Sequence, residues 1–162
     1  MIQQLINGIA TWIKPMKIKP PNTRDIKYLF LHTTGTSMDA TPDAMRKYWK
    51  NKLGWKNPGY HITIDKYGEA HHLLPFDKIA NGVRGWNKNA IHISTIGGKD
   101  GTDTRTDQQK LALAWWVKKL SSEYTDIVIK GHRDVYGPDK SYWKKSCPNY
   151  DVTKWLKEDN VL

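Results

Sequence analysis

The chain has 162 residues, which fits one domain with room for a short extension, and its single cysteine, Cys147, excludes an internal disulfide. Lys and Arg outnumber Asp and Glu by 26 to 16, a net charge of +10 that predicts attraction to something anionic: nucleic acid, a membrane surface or the bacterial envelope. The basic residues are scattered, without a run of five and without helix-turn-helix or zinc-finger spacing, so no specific nucleic-acid partner is expected. No apolar stretch reaches the ~18 residues of a membrane span, and the N-terminus carries no signal-peptide pattern.

In chain order, Ile2, Leu5, Ile6, Ile9, Trp12 and Ile13 fall at helical spacing and form one apolar stripe. Pro15, Pro20 and Pro21 then make a stiff connector, so residues 1–22 read as an N-terminal amphipathic helix with its linker and residues 23–162 as the compact main domain. Ile26 to His32 is β-rich and apolar, as in a central strand. Thr41-Pro42-Asp43 opens a helix with a cap, a proline in the first turn and an early acid; it carries Met45, Tyr48 and Trp49 and ends before Gly54. After the Asn57-Pro58-Gly59 turn, Tyr60 to Asp65 alternates as a strand, Lys66-Tyr67-Gly68 reverses it, and Glu69 to Leu74 returns as its hairpin partner.

Ala90 to Ile96 reads as a further strand, closed by Gly97-Gly98. Thr106-Asp107-Gln108-Gln109 is a capping box for a long helix that carries Leu111, Ala114, Trp115 and Lys118 and runs through Glu123. Asp126 to Lys130 is a strand that delivers Gly131-His132-Arg133-Asp134. A loop then leads to Cys147-Pro148, and Asp151 caps a short helix with Trp155 and Leu156. The pattern predicts an α/β fold: a single domain with a mixed central β-sheet flanked by helices, plus the N-terminal helix. Eight Trp and eight Tyr against two Phe suit a groove for a polar polymer, although most will be core.

His32 and His132 both end predicted strands and open into polar loops, where functional side chains collect. With Cys147 they supply three ligands of the kind that hold a catalytic zinc and leave a fourth position open. Spacing alone leaves standing the alternative of two structural histidines and a buried, inert cysteine.

The segments FLHTTGT, NPGYHITID, NGVRGWNKNAIHISTIGG, GHRD and KSCPNYDVTKWL occur in an order that resembles the zinc-dependent N-acetylmuramoyl-L-alanine amidase family, which takes in the bacteriophage T-seven lysozyme-like amidases and the peptidoglycan recognition proteins. The resemblance covers about residues 24 to 158. It implies that His32, His132 and Cys147 are zinc ligands and that Tyr60, in Gly-Tyr-His, and Lys145, in Lys-Ser-Cys-Pro, are the catalytic tyrosine and lysine. The implied substrate is bacterial peptidoglycan, cut at the amide between N-acetylmuramic acid and L-alanine. His61 is expected to be packed or to support the site from behind. His71 and His72 are expected on the hairpin surface. His92 matches no ligand position and stands where relatives often carry glycine; Gly82 stands where some carry histidine.

The charge and the missing leader fit a monomeric endolysin held in the host bacterial cytoplasm until it is released to the wall. The alternatives are a non-catalytic peptidoglycan-binding module and a regulatory binder. Non-catalytic relatives generally lack the cysteine ligand, so the presence of Cys147 with Tyr60 and Lys145 argues against the first.

Overall fold

The computed structural model describes residues 24–162; the apolar stripe at residues 2–13 and its proline connector lie outside them. The described residues form one five-stranded sheet in the order β3-β2-β4-β1-β5. The strands are β1 (Tyr28–Thr33), β2 (Ile62–Ile64), β3 (Ala70–His72), β4 (Ala90–Thr95) and β5 (Val128–Gly131). β1 runs parallel to both β4 and β5, and β2 runs parallel to β4. Only the short hairpin strand β3 is antiparallel, so the sheet is mixed as the sequence implies.

The helices are α1 (Pro42–Asn51), α2 (Asp107–Glu123) and α3 (Val152–Glu158). Each starts on the cap expected of it. Thr41 accepts from Ala44 N, Asp151 accepts from Lys154 N, and Thr106 and Gln109 close the reciprocal box. The strands are shorter than their hydrophobic runs suggest. In particular, the strand read from Tyr60 begins only at Ile62, because the chain bends at His61.

Side chains along a strand alternate between faces, and here the alternation sorts chemistry. Leu29, Leu31, Ile62, Ile64, Ile91 and Ile93 join Leu113, Trp116, Val117, Leu120, Val152 and Trp155 of α2 and α3 in the main core. The other face of the same strands presents Phe30, His32, Thr63, His92 and Ser94, all buried. A smaller cluster of Met45 and Trp49 from α1 with Leu73 and Ile96 packs beside it. On α2 the buried stripe is Gln109, Leu113, Trp116, Val117 and Leu120. Leu111 and Trp115, which the sequence offers as apolar members of that helix, are 74% and 57% exposed.

Gln109 is the polar anchor of this arrangement. Its Oε1 accepts from Thr106 N, while its buried Nε2 donates to Ile64 O at 3.0 Å and to Ile96 O at 2.9 Å. Those two carbonyls belong to β2 and to the residue just past β4, so one side chain joins the start of α2 to two neighbouring strand ends. Ile64 O also accepts from Ile96 N at 2.9 Å and keeps that partner without Gln109, whereas a buried carbonyl stripped of its partner costs about 1–3 kcal/mol. We therefore expect Gln109→Ala to lower stability by about 2 kcal/mol in urea denaturation, and Trp115→Ala to change it by less than about 0.5 kcal/mol. Equal effects of the two would refute this account of how α2 is held.

Candidate active site

Because β1 and β5 run the same way side by side, both end on one edge of the sheet, the edge at which parallel sheets bind ligands. His32 is the penultimate residue of β1 and is buried; His132 follows β5 at once, at the start of a short 3-10 turn, and is buried too. Their rings meet edge to face, with centroids 5.0 Å apart. Cys147 arrives from the loop beyond. Arg133 N donates to its carbonyl at 2.9 Å, and Thr33 N donates to its Sγ at 3.3 Å. Asn149, at φ 73°, holds the loop from the other side through Nδ2, which donates to Gly98 O and Thr102 O.

The structure thus brings together the three residues that lie 100 and 15 positions apart in the chain. One ligand atom from each of His32, His132 and Cys147 falls within 4.8 Å of the others. Cys147 Sγ lies 3.7 Å from His32 Nδ1. His132 and Cys147 line an open cavity of about 410 Å³, whose wall also includes Trp49, Trp55, Tyr60, Asn81, Lys99 and Lys145. Two imidazole nitrogens and one sulfur facing a common point, with solvent on the fourth side, are chemically fit to hold a metal ion with an open position.

The electrostatics agree with that use. Burial, followed by the neighbouring His92, His132 and Lys145, drives the His32 imidazole well below its ordinary value. His132 is brought down to about 4 by burial and by Lys145. Both rings are therefore neutral at physiological pH, as ligands must be. The Cys147 thiol is pushed up to about 11 by burial, against the bond from Thr33 and the charges of Lys145 and Arg133. Without a metal it keeps its proton at neutral pH, so metal binding must release that proton.

Tyr60 sits against this cluster, with its ring 5.0 Å from that of His32 and 5.5 Å from that of Trp49. Burial raises its phenol, Cys147 adds to the effect and a side-chain bond with Ser94 offsets part of it, so the hydroxyl remains a donor. Lys145 is exposed at the cavity rim. His61 is fully buried behind the site: its Nδ1 accepts from His92 N and its Nε2 meets Lys78 O, both at 3.0 Å. His72 is exposed and His71 pairs with Asp65 at 2.8 Å.

Sequence reasoning missed Asn149 and noted His92 only as a departure from the family pattern. Asn149 belongs to no chemical motif; an asparagine, a residue that tolerates the left-handed region, just after Cys-Pro is its only signal in the sequence. His92 stands alone in the apolar run Ala90 to Ile96, and the parity that places it on the His32 face becomes readable only once β1 and β4 are known to be paired.

Four buried imidazoles also make the fold sensitive to acid. His61 and His132 titrate at about 4 when folded, against 6.5 for an unperturbed ring. As pH falls from about 6.5 to 4, the unfolded chain takes up protons that the folded chain refuses, and stability is lost; above 6.5 neither state changes. For His61 alone the loss is on the order of 3 kcal/mol. We expect the urea midpoint of chelator-treated protein to fall steadily between pH 7 and 4.5, with the His61 ring signal in NMR still unshifted at pH 5. A flat midpoint, or a His61 signal that titrates near 6.5, would contradict the burial argument.

Comparison with known proteins supplies independent findings. The sequence profile of the family described as N-acetylmuramoyl-L-alanine amidase matches residues 22–150. A protein named endolysin from Enterobacteria phage K11 is 27% identical over 152 residues, covering 90% of this chain and 95% of the relative. Among solved structures, the Ph2119 endolysin of a Thermus scotoductus bacteriophage superposes with a TM-score of 0.68 at 25% identity, over 84% of this chain and 82% of that one. The amidase LysCS from Clostridium intestinale gives 0.70 at 23% identity over 86% of both chains, a likeness of fold.

Proposed function

The chain belongs to the N-acetylmuramoyl-L-alanine amidase family, and from that premise we propose that it acts as a zinc-dependent endolysin on bacterial peptidoglycan. The bond cut is the amide between the lactyl group of N-acetylmuramic acid and L-alanine. The observation that carries this reading is the convergence of His32, His132 and Cys147 within 4.8 Å beside a cavity that Tyr60 and Lys145 also line. The endolysin role follows the K11 relative, which this chain matches nearly end to end. In keeping with it, we place the catalytic domain at residues 23–162 and expect a monomer that stays in the host cytoplasm until released to the wall. No described helix is long and apolar enough to cross a membrane.

His32, His132 and Cys147 would hold the zinc. When bound, zinc supplies Lewis acidity at neutral pH without a proton being spent. The remaining work falls to the chain. An amide resists hydrolysis because attack places negative charge on its carbonyl oxygen and because an amine leaves poorly. Lys145 offers a cationic donor to that oxygen. Tyr60, its phenol kept protonated by burial, offers a neutral O–H on the side of His32. Trp49 and Trp55 give the cavity flat apolar walls against which a sugar or a peptide backbone can lie. The +10 charge draws the protein to an anionic wall.

Mass spectrometry of digested peptidoglycan tests the reaction: stem peptides with new L-alanine amino ends are expected, and new reducing sugars without such ends would refute it. Tyr60→Phe and Lys145→Ala should each retain one zinc per chain while losing roughly 100- to 1000-fold in single-turnover rate. Cys147→Ser should lose the metal. Full zinc occupancy in Cys147→Ser would remove the cysteine from the site, and wild-type turnover in a zinc-loaded Tyr60→Phe would reduce the tyrosine to a wall.

A further inference from the structure

No role assigned so far uses the imidazole of His92. It rises from the middle of β4 onto the face that carries His32, since Phe30 is paired with His92 and His32 with Ser94 in the parallel register. Its Nδ1 lies 3.0 Å from His32 Nε2, and both rings are buried. The His92 ring is clamped between two flat neighbours. It is stacked on Phe30 at 11° with centroids 5.6 Å apart, and on His61 at 1° and 5.9 Å. His61 cannot turn either, because its Nδ1 accepts the backbone N–H of His92 and its Nε2 donates to Lys78 O.

The two nitrogens of His32 have different neighbours. Nδ1 faces the sulfur of Cys147 and is the atom available to a metal. A metal on Nδ1 obliges Nε2 to carry the proton, and a protonated Nε2 needs an acceptor within reach. A metal-ligating histidine is ordinarily fixed through its other nitrogen by a carboxylate, a carbonyl or water. Here the group at that nitrogen is another histidine. Resting on the reading of His32 as a zinc ligand, we propose that His92 is a positioning residue: its Nδ1 accepts the Nε2–H of His32 and holds that ring in the tautomer and orientation that aim Nδ1 at the metal.

Two further observations bear on the assignment. When Nδ1 of His92 accepts, its Nε2 carries the ring proton, and that buried atom has no hydrogen-bond partner. An unpaired buried polar atom is an exception that calls for a cause, and a demand placed on the opposite nitrogen of the same ring supplies one. Room for the ring is also made on purpose across the site: a Cβ at Gly82 would overlap the His92 imidazole. Gly82 lines the cavity, and its missing side chain is the space in which the His92 ring stands.

The test measures zinc affinity by competition with a chromophoric chelator, beside the nitrogen-15 NMR spectrum of the histidines in zinc-loaded protein. His92→Leu removes the acceptor and should weaken zinc binding by roughly 10- to 100-fold. Gly82→Ala displaces the ring and should weaken it in the same direction. His92→Asn returns an acceptor oxygen near the place of Nδ1 and should recover most of the affinity, which a purely space-filling role would not explain. In the wild-type spectrum, His32 Nε2 should be protonated and His92 Nδ1 unprotonated. A folded His92→Leu that binds zinc like wild type would overturn the proposal. So would a zinc-loaded wild type with His32 Nε2 unprotonated, a measurement that does not depend on whether any variant folds. Wild-type protein that holds no zinc at all would instead overturn the underlying zinc reading.

Discussion

β1 has a parallel neighbour on each side, and the site depends on that pairing. A parallel pair ends on the same edge, so the loop after β1 and the turn after β5 are forced into contact however far apart they lie in sequence. His32 and His132 meet for this reason and not through any local affinity for each other. The same pairing lines up β1 and β4 residue by residue, and with them the alternation of faces. Leucines and isoleucines therefore go to the α2–α3 side, while two histidines, a serine and a phenylalanine go to the other. One face of a buried sheet is thus a conventional core. The opposite face is the floor beneath the cluster of His32, His132 and Cys147.

That floor is polar yet dry, and its electrostatics follow from the combination. Imidazoles in such a place cannot afford a charge, so burial keeps them neutral and ready to donate lone pairs. The same burial works against the third donor, because it holds the Cys147 thiol protonated. If the cluster holds a metal as proposed, its two ready donors and one reluctant one would favour an ion that binds sulfur strongly enough to displace its proton. The exposed cationic groups at the rim, Lys145 among them, ease that proton off without entering the floor themselves.

Much of this was legible in the chain. The capping residues Thr41, Thr106 and Asp151 announced three helices because a cap is a local event, complete within four residues. The ends of β1 and β5 were legible because each closes a β-rich run with a histidine. Other features depend on partners that no window of sequence contains. Leu111 and Trp115 are apolar and helical, yet α2 turns Leu113 and Trp116 to the sheet, because the Gln109 anchor fixes its rotation. Tyr60 looked like a strand residue, but the bend at His61 leaves it outside the ladder, free to lie against the His32 ring. His92 drew notice only as a departure from a family pattern, since its partner, His32, is 60 positions away.

The fit between Gly82 and His92 ties the two positions together. With any side chain at 82 the His92 ring must move, and without the ring the bare glycine leaves a gap beside the open cavity. The two positions therefore share one volume, which either the ring at 92 or a side chain at 82 can fill but not both. The glycine and histidine that looked like two separate oddities of this sequence are one packing unit, in which a change at either position is felt at both.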